Sequence, residues 1–138
     1  MAGEGVAQGC WRRQSAGGGR SCDDSPGERW GAGEVTTFIE CDVGRTLQTS
    51  GTGCDRGWGS HQLVLGGAVK GGDLYGTFPT MALGGPDDSS TRGAMIPTTS
   101  VDQYGGTMAK WFGVSAAAMP QVFPNIANFA VPDLGFLG

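Results

Sequence analysis

The sequence has few long apolar runs. None of its stretches reaches the ~18–20 consecutive apolar residues that a bilayer-spanning helix needs, so no membrane span is expected. Basic charge is also in short supply. Nine Lys and Arg stand against thirteen Asp and Glu, for a net charge of −4, and charged residues make up only 16%. Nucleic-acid backbones are bound by cationic surfaces, so no nucleic-acid partner is expected. The four cysteines, at 10, 22, 41 and 54, form no C-x-x-C pair. That spacing excludes a zinc ribbon or a thioredoxin-type motif. Cys41 and Cys54 can meet if the chain between them folds back, and an oxidising compartment would then favour a disulfide. Two unpaired thiols fit the spacing as well. There is one histidine, no internal repeat and no heptad pattern.

Glycine is abundant instead, at 27 of 138 residues. Each glycine raises the entropy cost of ordering the chain and disfavours helix, so much of the molecule is expected to be loop. The length suits one domain of modest size. Composition divides the chain near residue 35. Residues 1–34 contain no Leu, Ile or Phe and one Val, but nine of the glycines. Such a segment cannot bury enough apolar surface to offset its entropy and is expected to be disordered. Its four Arg nearly balance its five Asp and Glu, so it is no electrostatic tail. The arginine pair in Trp11-Arg12-Arg13-Gln14 suggests twin-arginine export, but Ser15-Ala16-Gly17-Gly18-Gly19-Arg20 follows where an apolar region should be. No working signal peptide is expected there.

From Val35 onward the elements are readable. Val35-Thr36-Thr37-Phe38-Ile39 is β-branched and aromatic, which predicts a short, largely buried strand. Gln62-Leu63-Val64-Leu65 predicts another, and Leu74-Tyr75-Gly76-Thr77-Phe78 a weaker one ended by Pro79. Gly66 to Gly72 has the glycine spacing of a phosphate loop, but Gly72 and Asp73 stand where Lys and Ser or Thr are required. Its glycines are read as bends or close backbone contacts, with Lys70 solvated or paired to an acid. Val101 to Phe112 predicts a helix, with Ser100 as cap, Gln103 as capping-box partner and Gly113 as stop. Val101, Tyr104, Met108, Trp111 and Phe112 form its apolar face. Gly105 and Gly106 weaken it by roughly 1 kcal/mol each, which implies close packing against an element that need not belong to this chain. The tail, broken by Pro124 and Pro132, is expected to dock as extended segments.

The chemistry-bearing groups gather between residues 42 and 61. Asp42, Asp55 and His61 form an oxygen, oxygen, nitrogen set of the kind that binds zinc or manganese. Along a straight strand Asp55 and His61 would lie roughly 20 Å apart at about 3.3 Å per residue, so a shared ion requires the loop to fold back. Gly57 and Gly59 permit that, with Trp58 as the apolar anchor of the turn. The plainer reading is a polar turn in which one His sits hydrogen-bonded near an Asp, and Asp42 is a turn former just past a strand.

Several motifs together resemble one protein family. They are Val35-Thr36-Thr37-Phe38, Asp42-Val43-Gly44-Arg45-Thr46-Leu47, Ser50-Gly51-Thr52-Gly53, Asp55-Arg56-Gly57-Trp58-Gly59-Ser60-His61, Gly66 to Gly72, and Ile96 to Tyr104. In this order, over residues 35–138, they are similar to the C-terminal part of a bacterial, typically twin-arginine-exported family known as domain of unknown function 1501. The resemblance implies relatedness to the alkaline phosphatase and sulfatase superfamily. Its fold is an α/β sandwich with metal ions at the C-terminal ends of the strands, in a periplasmic or secreted protein. It further implies that Asp42, Asp55 and His61 line the metal pocket and that Arg45 binds an anionic ester by its guanidinium fork. A metal there would stabilise charge on the transferring group and activate the nucleophile.

The chain departs from that pattern at two positions. Arg56 stands where the family has a histidine, and Val43 where it has an aromatic residue. A guanidinium in place of an imidazole removes a lone pair and adds positive charge beside the cation. The superfamily's nucleophile comes from the N-terminal part of the domain, which residues 35–138 do not match. Residues 1–34 match nothing in the family, and their composition suggests a shifted reading frame. Three readings follow: a hydrolase-like C-terminal fragment that is not competent alone, a non-catalytic exported binding or surface protein, and a remnant with no independent function.

Overall fold

A computed structural model describes residues 7–12, 32–41 and 43–138, with backbone alone for 7–12. The chain is mixed α and β with small antiparallel sheets. It divides into two compact units. Of the described residues, one unit holds 7–8, Ile39–Leu63 and Gly76–Ser100, and the other holds 9–12, 32–38, Val64–Tyr75 and Val101–Gly138.

The second unit carries most of a three-stranded sheet, in the order β1 (Ala7–Arg12), β2 (Val35–Glu40), β5 (Leu63–Gly66). Strand β1 falls within the leucine-free segment; apart from it and residues 32–34, that segment lies outside the described residues. The β-branched run makes β2 as the sequence predicts, with Thr36 and Phe38 inward. Gly66 is required on β5 because a Cβ there would lie 2.6 Å from the Val35 carbonyl oxygen. The predicted strand at residues 74–78 does not form. Gly72 and Gly76 take left-handed φ of 81° and 94° and break the extended run on both sides of Leu74.

Helix α1 (Val101–Phe112) spans the predicted residues, and Gly113, at φ 113°, stops it with its N–H on the Ala109 carbonyl. Tyr104 and Met108 enter a core with Phe38 and Phe136, and Val64, Tyr75, Leu134 and Leu137 pack around it. The rings of Phe38, Tyr75 and Tyr104 meet one another or Phe136 at centroid distances of 5.8 to 6.5 Å. Val101, expected on the inner face, is exposed instead. The element that Gly105 and Gly106 pack against lies in this chain. A Cβ on Gly105 would lie 2.7 Å from Phe123, just past α2 (Met119–Val122), and one on Gly106 would lie 3.1 Å from Ile126.

The tail is extended and tied down only in its last part, residues 131–137; before that, where the sequence predicts extended segments, the chain ends a short helix at Val122 and makes a 3-10 turn at Ile126–Asn128. Leu137 bridges Val69, Lys70 N–H donates to the Phe136 carbonyl at 2.9 Å, and Leu134 N–H donates to Thr107 Oγ1 at 2.8 Å. Lys110 pairs with Asp133. Desolvation pushes the Asp133 carboxyl up, but the Lys110 ammonium, the Gly135 N–H and the Thr107 hydroxyl together hold it below its usual value.

The first unit is built on an antiparallel hairpin, β3 (Gly44–Ser50) and β4 (Gly53–Gly57), turned at Gly51 with φ 61°. The pairing places Arg45 opposite Arg56 and Thr49 opposite Cys54, with an irregularity between. The outer edge of β3 is covered by a later loop, where Leu47 and Gln48 donate to the carbonyls of Gly93 and Arg92.

Candidate functional site

Of the four residues to which the sequence assigns a site, Asp42 lies outside the described residues. Asp55 sits on β4, and the hairpin turns its carboxylate toward the 88–94 loop. There Arg92 Nη1 donates to Asp55 Oδ2 at 2.6 Å, with both side chains near half exposed. Arg45 Nη1 reaches across the hairpin to the Cys54 carbonyl at 3.2 Å. Arg56 lies directly opposite Arg45 in the strand register, so the hairpin carries two arginines at one cross-strand position.

His61 lies beyond the end of β4 and is exposed. Its ring stacks on Phe78, with centroids 5.0 Å apart and planes 23° from parallel. The next residue, Gln62, is anchored by its amide on the Cys41 carbonyl at 3.2 Å, while its Oε1 is buried and accepts no bond among the described residues. Trp58 is not the apolar anchor the sequence suggests, because it is 60% exposed. The glycines around it serve close approach rather than a left-handed turn. A Cβ on Gly57 would lie 3.0 Å from the Arg45 backbone, and one on Gly59 would lie 2.9 Å from Pro97.

The hairpin thus pairs Arg45 with Arg56, while Asp55 is ion-paired with Arg92 and His61 stacks on Phe78. Among the described residues no group of three or more His, Cys, Asp or Glu side chains is placed to hold a metal ion. Cys41 and Cys54 are both free thiols, and Cys54 is exposed. Cys10 and Cys22 lie outside the residues with described side chains. No helix among the described residues is long and apolar enough to cross a membrane.

Among the described residues of this unit, Asp88 is an acid that collects several hydrogen bonds and that the sequence did not single out. Asp88 Oδ2 accepts from the N–H groups of Gly84 at 2.9 Å and Gly93 at 2.8 Å. Its Oδ1 accepts from Ser90 N–H at 3.0 Å, Ala94 N–H at 3.1 Å and the Ser90 hydroxyl at 3.2 Å. Desolvation pushes this carboxyl up, but the backbone donors and the hydroxyl outweigh it and bring it down to about 2 from 3.8. The signal available in the sequence was Gly84-Gly85-Pro86-Asp87-Asp88-Ser89-Ser90, a dense run of turn formers.

No protein-family model, curated protein or solved structure matches this chain. The family reading therefore rests on the motifs themselves.

Proposed function

We propose that this chain is a C-terminal portion of an exported domain resembling the metal-dependent phosphatases and sulfatases, and that it has no catalytic competence of its own. The observation that carries this reading is the Arg92 to Asp55 ion pair at 2.6 Å. A carboxylate that would ligate a divalent ion is held by a guanidinium, and Arg45 and Arg56 add two further positive charges on the same hairpin. A guanidinium already seated on Asp55, with the further positive charge that the two arginines bring to the hairpin, opposes the approach of a metal ion. The same arginines suit an anionic ester, which supports retained affinity for the substrate class without turnover.

Two measurements test the reading. Purified chain with added zinc or manganese is expected to release no phosphate or sulfate from aryl esters above a His61→Ala control; release above that control overturns the proposal. Calorimetric titration of zinc and manganese is expected to show no binding to the natural chain or to Arg56→His. Binding is expected only when Arg56→His is combined with Arg92→Ala, which restores an imidazole and releases Asp55.

The exposure of Trp58 favours a second reading, an exported surface-binding protein. Tryptophan is among the side chains enriched at interaction surfaces. That reading requires Trp58→Ser to weaken binding of an apolar fluorescent probe more than Leu74→Ser does, while leaving the circular dichroism unchanged.

A further inference from the structure

The loop from Gly84 to Ala94 converges on a single anion. Four backbone N–H groups, from Gly84, Ser90, Gly93 and Ala94, and the Ser90 hydroxyl all point at the Asp88 carboxylate. A turn carboxylate ordinarily binds one or two amides next to it in the chain. Here the donors come from both ends of the loop, and every donor is neutral. The charged side chains nearby are engaged elsewhere: Asp87 accepts the Thr80 N–H at 2.7 Å, and Arg92 is bonded to Asp55. Concavities of successive backbone N–H groups are a recognised way for proteins to bind anions without a cation.

The loop's backbone is shaped for that concavity at a cost. Gly84 and Gly93 take φ of 67° and 83°, and a Cβ on Gly93 would lie 2.5 Å from Leu47 Cβ. Thr91, which is β-branched, is held at φ 116°. Such a conformation is strained and persists only where the surroundings over-determine it. The carboxylate supplies that constraint, because it grips the chain at Ser90 on one side of Thr91 and at Gly93 and Ala94 on the other.

We infer that residues 84–94 form a receptor for a carboxylate anion, and that Asp88 is a ligand tethered inside it. The arrangement selects a planar, two-oxygen ligand, since one oxygen takes three donors and the other two. A tetrahedral phosphate or sulfate would present further oxygens that no donor meets. The occupied receptor also sets the position of Arg92. Arg92 N–H donates to Ser90 Oγ at 3.1 Å, its carbonyl accepts from Gln48 at 3.0 Å, and its guanidinium reaches Asp55. Asp88 is thus a positioning residue for the ion pair on β4. This inference goes beyond the hydrolase reading and stands or falls without it.

The test replaces the tethered ligand with a free one. In full-length Asp88→Gly, the amides of Gly84, Ser90, Gly93 and Ala94, followed by nuclear magnetic resonance, are expected to lose their hydrogen-exchange protection. Formate or acetate is expected to restore it saturably in the millimolar range, while phosphate and chloride at matched ionic strength leave it lost. Asp88→Asn, whose amide fills the space but presents a donor to donors, is expected to lose protection without rescue by formate. Equal rescue by phosphate or chloride, or no effect of formate on folded Asp88→Gly, overturns the proposal. Should Asp88→Gly not fold, the wild-type chain decides: on acidification the four amides are expected to shift together with one midpoint below the usual carboxylate range. Separate midpoints overturn the inference.

Discussion

Asp55 and Asp88 are the same side chain in the same unit, stabilised in two different ways. Asp55 faces a cation across a half-exposed ion pair. Such pairs are worth about 0–1 kcal/mol, because solvent screens them and two side chains must be ordered. Arg92→Ala is therefore expected to lower unfolding stability by less than about 1 kcal/mol in urea titrations. Asp88 faces five neutral donors, and losing it leaves several N–H groups without acceptors. Asp88→Asn is expected to cost distinctly more than Arg92→Ala in the same titrations.

The pH dependence follows from the direction of the shift. Asp88 titrates lower in the folded chain, at about 2, than its ordinary 3.8. Its contribution is therefore complete above about pH 4 and is lost as pH falls toward about 2. Urea midpoints are expected to drop between about pH 4 and about pH 2. The drop is expected to be smaller in Asp88→Asn, with a residual slope from Asp133, whose shift has the same sign. Thr91→Gly should act in the opposite direction. It relieves the left-handed strain at φ 116°, and a raised Tm in calorimetry is the expected outcome. None of this is legible in the sequence. The run Asp87-Asp88-Ser89-Ser90 announces a turn, but which carboxylate collects which N–H groups depends on where β3 presents Leu47 and Gln48 to the loop.

At the scale of elements, α1 was the most readable part of the chain. Its 3.6-residue period, its glycine stop and the buried positions of Tyr104, Met108 and Trp111 all follow from local sequence. Strand β2 was readable for the same reason. The β3 and β4 hairpin was not, because its strands alternate polar with small residues and carry an arginine pair opposite each other, so their faces give no apolar signal. The site inherited that difficulty. Residue types between 42 and 61 suggested ligands, but nothing local foretells that Arg92, far along the chain, claims Asp55 or that Phe78 claims His61.

Packing also decides two mutations in α1 and the tail. Gly105→Ala in an open helix would gain roughly 1 kcal/mol from helix propensity. Here the new Cβ would meet the Phe123 ring at 2.7 Å, so the measured gain is expected to fall short of that value or reverse. Phe136 is 3% exposed in the core formed with α1. Phe136→Ala is expected to cost about 3–5 kcal/mol and to abolish any cooperative thermal transition.

At the scale of the whole molecule, the balance of burial is unusual. Among the described residues, eleven large hydrophobic side chains are exposed, Trp58, Leu65 and Leu74 among them, against nine buried hydrophobic residues. A core this small, in a chain this rich in glycine, leaves a thin margin over conformational entropy. The purified chain is expected to unfold broadly in calorimetry. A sharp transition with matching van't Hoff and calorimetric enthalpies would show that the core suffices.

The alternation of the chain between its two units governs what a protease can do to it. The backbone passes from one unit to the other after Phe38, Leu63, Tyr75 and Ser100. A single nick between Tyr75 and Gly76 therefore cannot release either unit whole, since each fragment carries part of both. The N-terminal fragment keeps β3, whose Leu47 and Gln48 bond to Gly93 and Arg92 on the other fragment. It also keeps Tyr75, whose ring meets Phe136. A clipped molecule would migrate as two bands under denaturing conditions while eluting as one particle, and the two halves made separately have the contacts needed to find each other.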